Sequence, residues 1–197
     1  MKEKTYRINE IFYSLQGEGR WSGRPAVFIR FSGCNLRCPF CDTNFKTHTD
    51  MTLADIIDAI REWKNCGFVV LTGGEPTLQL DAELVEALHN EGFYVAIESN
   101  GTKPMPVRVD WLTISPKTAY VENAQPAIES CQELKVVYDG EHEPSTFGVM
   151  AENLYIQPCD TGDTVKNDEI ICRCIEWVKE HPEWKLSLQT QKIINVR

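Results

Sequence analysis

Ala26-Val27-Phe28-Ile29-Arg30-Phe31-Ser32-Gly33-Cys34-Asn35-Leu36-Arg37-Cys38-Pro39-Phe40-Cys41 decides how this chain is read. An apolar β-type run passes through one glycine into a loop that holds three cysteines at x3 and x2 spacing. No fourth ligand follows nearby. A structural zinc site closes with four ligands, and an iron–sulfur cubane normally takes one thiolate per iron. Three thiolates on one tight loop reach three corners of a cubane and leave one iron open to another molecule. The competing reading is a zinc ion completed by a distant residue such as His48. Arg37, Pro39 and Asn35 speak against inert core cysteines.

The other cysteines read differently. Cys66, Cys131, Cys172 and Cys174 fall in or beside apolar segments, where a free cysteine behaves as a small hydrophobe. Cys159 lies in a polar turn. A second cluster from Cys159, Cys172 and Cys174 is conceivable, but positions 172 and 174 of a helix point to different faces.

Outward from the cysteine loop, strand and helix patterns alternate. Apolar β-type runs occupy residues 8–13, 26–31, 68–71, 94–98, 111–115, 133–137, 154–157 and 185–188. A first helix buries Leu53, Ile56, Ile57, Ile60 and Trp63, with Thr52 as N-cap and Asp55 at N3. A second spans about 81–91, buries Leu84, Val85 and Leu88, and stops at Gly92. A third spans about 168–181 with Ile170, Ile171, Cys174, Ile175 and Val178 inward and Pro182 after it. Residues 123–130 are a candidate short helix.

Such alternation predicts βαβ units and a mostly parallel sheet. The continuous run Phe68-Val69-Val70-Leu71 fits a strand covered on both faces. Too few long helices are present for a closed eight-unit barrel of about 250 residues. The expected fold is therefore α/β, an incomplete, TIM-like barrel, with residues 1–197 as a single domain.

Function in such folds gathers at the carboxyl ends of the strands. Besides the cysteine loop, four turns follow predicted strands: Thr72-Gly73-Gly74-Glu75-Pro76, Glu98-Ser99-Asn100-Gly101, Ser115-Pro116-Lys117 and Gln157-Pro158-Cys159-Asp160. Two glycines let the backbone approach a ligand closely, and Glu75 offers a carboxylate toward an ammonium group. Five polar turns on one rim make a site.

Composition sets the outer bounds. The 197 residues carry a formal net charge of −9 and no Lys/Arg-rich run, which argues against a nucleic-acid surface. The first residues lack the apolar stretch of a signal peptide. No apolar run reaches bilayer-spanning length. Eight cysteines without a secretory signal indicate reduced thiols, metal ligands or buried small residues rather than a disulfide framework. The expected setting is cytoplasmic.

Cys34-x3-Cys38-x-Phe40-Cys41 followed by Gly73-Gly74-Glu75-Pro76 resembles the radical S-adenosylmethionine (SAM) superfamily. The resemblance implies a [4Fe–4S] cluster on Cys34, Cys38 and Cys41 whose open iron takes the amino and carboxylate groups of SAM. A narrower resemblance covers nearly the whole chain. Residues 11–19 (Ile-Phe-Tyr-Ser-Leu-Gln-Gly-Glu-Gly), Phe28–Cys34, Cys41-Asp42-Thr43, Ser115-Pro116-Lys117, Glu133-Leu134-Lys135 and the tail Leu188–Lys192 are similar to the 7-carboxy-7-deazaguanine synthase family of queuosine and deazapurine biosynthesis. The implied reaction converts 6-carboxy-5,6,7,8-tetrahydropterin to 7-carboxy-7-deazaguanine with loss of ammonia.

That family resemblance assigns the residues. Phe40, Cys41, Asp42, Gly74, Glu75, Ser99, Ser115, Pro116, Lys117, Gln157, Pro158, Cys159 and Asp160 are expected to hold SAM. Phe40 covers the cluster or stacks on the adenine, and Ser115 and Gln157 reach the ribose or carboxylate. Leu15, Gln16, Gly17, Glu18, Arg30, Thr72, Gln191 and Arg197 are expected on the pterin, with Leu15-Gln16-Gly17 at its pyrimidine edge. Arg30 suits an anionic substrate; its structural alternative is an ion pair with an acid such as Glu18. Thr43 is implied as an oxygen ligand of Mg2+, which prefers hard oxygen donors. No protein acid–base residue is assigned. Gln191 stands where relatives often have histidine, and Arg197 where some have proline.

The family also implies a homodimer and an external one-electron donor of flavodoxin type. Three other readings compete, one of them a related cyclase acting on a modified pterin. A glycyl-radical activase shares the cysteine loop but leaves the Leu15–Gly19, Arg30 and Thr43 set without purpose. A non-enzymatic iron–sulfur module leaves the five rim turns unexplained.

Overall fold

The computed structural model describes residues 4–44 and 47–197. In chain order its elements are β1 (Tyr6–Leu15), β2 (Pro25–Phe31), β3 (Thr49–Met51), α1 (Leu53–Ile60), β4 (Phe68–Gly73), α2 (Ala82–Asn90), β5 (Tyr94–Ser99), β6 (Trp111–Ile114), β7 (Ser130–Tyr138), β8 (Met150–Pro158), α3 (Thr164–Glu180), β9 (Trp184–Leu186) and the short α4 (Thr190–Ile193). Nine strands form one sheet in the order β3-β1-β2-β4-β5-β6-β7-β8-β9. From β2 to β9 every neighbouring pair is parallel, while β1 is antiparallel to both β2 and β3. The terminal strands β3 and β9 do not pair, so the barrel is open as expected.

Period-2 alternation sorts the side chains into two layers. Val27, Ile29, Val69, Leu71, Val95, Ile97, Leu134 and Val136 pack outward, in one core with Ile56, Ile60, Leu84, Leu88, Ile170 and Cys174 of the helices. Ala26, Phe28, Phe68, Val70 and Ala96 point the other way, into a smaller core with Phe12. The next residue on that inner face of each strand is Arg30, Thr72 and Glu98, so apolar packing fills the barrel's base and polar groups emerge at its carboxyl rim.

β1 joins this face through an irregularity. Its register shifts between Ile8 and Glu10, leaving Ile8 and Ile11 with the outer core and Phe12 with the inner one. Simple alternation along β1 would have put Ile8 and Phe12 on one side.

The helices begin where their caps are strongest. Thr52 and Asp55 form the expected capping box of α1. Asp81 accepts from Leu84 N at the start of α2, and Gly92 follows it at φ +86°. Four expectations need correction. Beyond α1 the chain tightens into a 3-10 turn over Arg61–Cys66, where Trp63 still packs against the outer core and stacks on Tyr13 with ring centroids 6.0 Å apart. α3 starts at Thr164 rather than Asp168, because Asp163 caps Val165 N and Lys166 N; its first turns carry exposed residues, and Ile175 also faces out. Residues 123–130 form no helix, with Asn123 left-handed at φ +59°. Cys172 is exposed, not packed like Cys131 and Cys174. No helix among the described residues is long and apolar enough to cross a membrane.

Candidate active site

The rim encloses a cavity of about 310 Å3, lined by Cys34, Cys38 and Cys41 on one side and by the Gln16–Glu18 segment, Arg30 and Glu98 on the other. The cysteine loop is clamped by its neighbours. Gly74 N donates to Phe31 O at 3.0 Å and Glu75 N to Gly33 O at 2.9 Å. A Cβ on Gly74 would lie 1.9 Å from Gly33 O, so only glycine permits this approach. Asn35, inside the loop, accepts from Asn100 Nδ2 at 3.1 Å and donates to Thr102 Oγ1 at 2.8 Å. Leu36 N points at Cys34 Sγ, 3.4 Å away. Burial raises the thiols of Cys34 and Cys38, and the charge of Lys117 opposes the rise at Cys38.

These donors fit a cluster with three protein ligands. Among the described residues no three His, Cys, Asp or Glu side chains converge on a single ion, and this holds for Cys34, Cys38 and Cys41 as it does for Cys159, Cys172 and Cys174. A cubane needs one sulfur per iron instead.

Most expected SAM residues line the cavity: Phe40, Asp42, Gly74, Ser99, Ser115, Lys117, Gln157, Pro158, Cys159 and Asp160. Pro116 does not. Glu75 does not either, and its expected free carboxylate is a correction. It is fully buried and accepts from Thr77 N (3.1 Å), Thr77 Oγ1 (2.7 Å), Ser99 Oγ (2.8 Å) and Asn100 N (2.8 Å). Its place is beneath the site, joining the β4 and β5 turns. Phe40 packs edge-on against Tyr120, 4.8 Å between centroids. Lys117 donates to the Ser115 carbonyl at 2.7 Å, and desolvation draws its amine down to about 8. Lys192 bridges Asp42 (3.0 Å) and Asp160 (2.9 Å) and holds Asp160 down at about 2. α4 thereby ties the cysteine loop to the β8 turn, with Thr43 on the same wall.

The opposite wall is one connected polar network. Gln16 donates to Glu98 Oε1 at 2.9 Å and accepts from Glu18 N at 3.2 Å. Glu18 pairs with Lys135 and accepts from Gln157 (3.1 Å), Gln189 (3.0 Å) and Gln191 (3.1 Å). Burial alone would raise the Glu18 carboxyl, but Lys135 and the amides bring it to about 2. Burial alone would lower Lys135, yet Glu18, Glu98 and Glu133 hold it above the usual lysine value. Gln157, which lines the cavity, donates to Glu18 and accepts from Ser187 Oγ. A Cβ on Gly17 would sit 1.7 Å from Gln191 Oε1, and the Gly17 carbonyl is taken by Thr190 N at 3.1 Å. Leu15, Thr72 and Arg197 also line the cavity. The acid paired with Arg30 is Glu10, at 2.8 Å, not Glu18.

Sequence reading passed over Glu10, and named Phe12, Phe28, Glu98, Asn100, Lys135, Gln189 and Lys192 only within motifs, with no role of their own. The inner-face alternation of β2, β4, β5 and β7 would have found Phe28, Glu98 and Lys135. Asn100 closes the β5 turn already placed on the rim, whereas Glu10 and Phe12 depend on the β1 bulge and Gln189 and Lys192 on α4 folding back across the mouth.

The profile of the Radical SAM superfamily matches residues 28–129. A 7-carboxy-7-deazaguanine synthase of Bacteroides thetaiotaomicron is 46% identical over 191 residues, covering 97% of this chain and 98% of its own. One from Burkholderia multivorans is 40% identical over 215 residues, covering 98% and 99%. Among solved structures, QueE from Escherichia coli superimposes with a TM-score of 0.72 at 28% identity, over 93% of each chain. Clamped three-cysteine loop, open parallel sheet and full-length identity agree: the chain belongs to the 7-carboxy-7-deazaguanine synthase family of the radical SAM superfamily.

Proposed function

We propose that this enzyme converts 6-carboxy-5,6,7,8-tetrahydropterin to 7-carboxy-7-deazaguanine, releasing ammonia, within one radical SAM core spanning residues 1–197. The observation that carries the reading is the juxtaposition in one cavity of the three-cysteine loop and the Gln16–Glu98–Lys135–Glu18 network. A pterin is flat, polar along its pyrimidine edge and anionic at its carboxylate. The network presents amide and carboxylate groups to such an edge, while Arg30 offers a guanidinium to the carboxylate.

Membership of the superfamily brings a [4Fe–4S] cluster and SAM. Together, when bound, these supply a 5′-deoxyadenosyl radical by one-electron cleavage of the sulfonium. Cys34, Cys38 and Cys41 would hold three irons. The backbone at Gly74, with Ser115, Lys117 and the Asp42 and Asp160 segments, would seat the co-substrate. Thr43 would give an oxygen to Mg2+, a hard cation that keeps several waters and readily takes a carboxylate. Leu15, Gln16, Gly17, Glu18, Thr72, Gln191 and Arg197 would surround the pterin. Gln191 can hydrogen-bond there but cannot exchange a proton near neutral pH. An external, flavodoxin-like electron donor, a homodimeric assembly and a cytoplasmic setting complete the proposal.

The test is anaerobic incubation of the reconstituted enzyme with carboxytetrahydropterin, SAM, Mg2+ and reductant, with product mass spectrometry. Formation of 7-carboxy-7-deazaguanine is expected. Its absence with an intact cluster would overturn the assignment. Deoxyadenosine formation without pterin conversion would instead favour a related cyclase or an activase.

A further inference from the structure

Glu10 joins two arginines. It lies opposite Arg30 across the β1–β2 pair, and Arg30 Nε donates to its Oε1 at 2.8 Å. Its other oxygen pairs with Arg197 Nη2. Both guanidiniums stand over the Phe12 ring, with Cζ 5.6 Å and 5.2 Å from the centroid. Ser14, the next inner-face residue of β1 after Phe12, donates to the Arg197 backbone oxygen at 2.6 Å. Arg197 is therefore held at both its backbone and its head group, although its side chain is 70% exposed.

Glu10 divides one side-chain carboxylate between two guanidiniums, while the terminal carboxylate of Arg197 is turned to Ser14. Among the described residues no carboxylate but Glu10 pairs with either arginine. Among the described residues Arg30 commits only its Nε, which leaves its forked Nη groups on the cavity wall. An exposed arginine loses rotamer freedom when it grips an anion; one already fixed loses less, and preorganisation turns into affinity.

We propose that Arg197 is a second carboxylate-reading guanidinium beside Arg30, and that Glu10 is the positioning residue that holds it there. This rests on the proposed function only in that the ligand is a carboxylated pterin. The purely structural alternative is a half-exposed ion pair steadying β1, the kind of contact that contributes little. Such a contact would alter melting without altering which ligand the enzyme prefers.

The test compares holoenzyme affinities for 6-carboxypterin and for pterin, at fixed SAM and Mg2+, as a preference ratio. Arg197→Gln is expected to lower the ratio about fivefold, the scale of one exposed charge-assisted contact. In a Glu10→Gln background the same substitution should change the ratio less than twofold, because the unheld arginine no longer contributes. A wild-type enzyme without preference, or an Arg197→Gln variant with the wild-type ratio, would overturn the proposal. So would an undiminished fivefold effect in the Glu10→Gln background. Arg197 is exposed enough for its variant to fold. Turnover of carboxytetrahydropterin is measured separately, so an inactive enzyme refutes the reaction while the ratio still decides Arg197.

Discussion

Lys135 on β7 and Glu18, just beyond β1, form an ion pair in the cavity wall, with side chains 5% and 13% exposed. Two charges taken this far from water gain only if their remaining valences are filled. Here they are. Three glutamine amides complete Glu18, and Glu98 lies 3.7 Å from the lysine on its other side. The pair therefore fixes the Gln16–Glu98 edge as well as itself.

Stability should follow this pair through acid pH. Glu18 is lowered from about 4.5 to about 2, so its contribution is complete above the unfolded value and fades as pH falls from about 4.5 toward 2. The raised Lys135 keeps its contribution throughout that window and loses it only in strong alkali. Glu18→Gln should flatten the acid limb of urea-derived stability by on the order of 2–3 kcal/mol. Lys135→Met, which strands a buried carboxylate, should cost about 3 kcal/mol at neutral pH. An acid limb in Glu18→Gln as steep as the wild type would remove Glu18 as the titrating group.

The Gly33–Gly74 contact yields a prediction about cluster loading. Gly74 has no left-handed φ, so alanine there brings no backbone strain, only a methyl 1.9 Å from a carbonyl oxygen and 2.4 Å from its carbon. Backbone cannot swing away as a side chain can. Gly74→Ala should displace the cysteine loop and reduce iron per chain after reconstitution by half or more, with far-ultraviolet circular dichroism unchanged. Full iron content would show that the loop accommodates the methyl elsewhere.

What could be read from sequence divides along a physical line. The mostly parallel sheet, the capping box at Thr52 and Asp55 and the cysteine loop rest on local spacing, which sequence displays directly. Glu75 misled because a carboxylate in a glycine turn looks free until the β5 turn supplies Ser99 and Asn100 as donors. Glu10 was hidden by the β1 bulge, since a one-residue shift exchanges the two faces of a strand. Lys192 and Gln189 were beyond reach for another reason: their partners Asp42, Asp160 and Glu18 are distant in sequence.

Far from the cavity, Thr52→Ala offers a measure of stability alone. It removes the hydroxyl that accepts from Asp55 N at 3.2 Å and donates to Asp55 Oδ2 at 2.7 Å. The expected loss is about 1 kcal/mol in denaturant unfolding, with KM and kcat unchanged. A kinetic change would mean that α1 communicates with the rim.

Glu75→Gln tests whether the buried carboxylate works as a hub. Both its oxygens accept, from two backbone N–H groups and two hydroxyls. An amide of the same shape keeps one acceptor and sets an N–H2 against donors, which cannot all turn away. Leaving buried donors unmet costs about 1–3 kcal/mol, so unfolding stability should drop by about that amount. SAM affinity should weaken too, because Ser99 and Asn100 are anchored through this carboxylate and both face the cavity. Glu75→Asp, shorter but still charged, should recover part of the SAM affinity while remaining less stable than wild type. If Glu75→Gln matched wild type in SAM affinity while losing stability, the hub would support the fold without shaping the site.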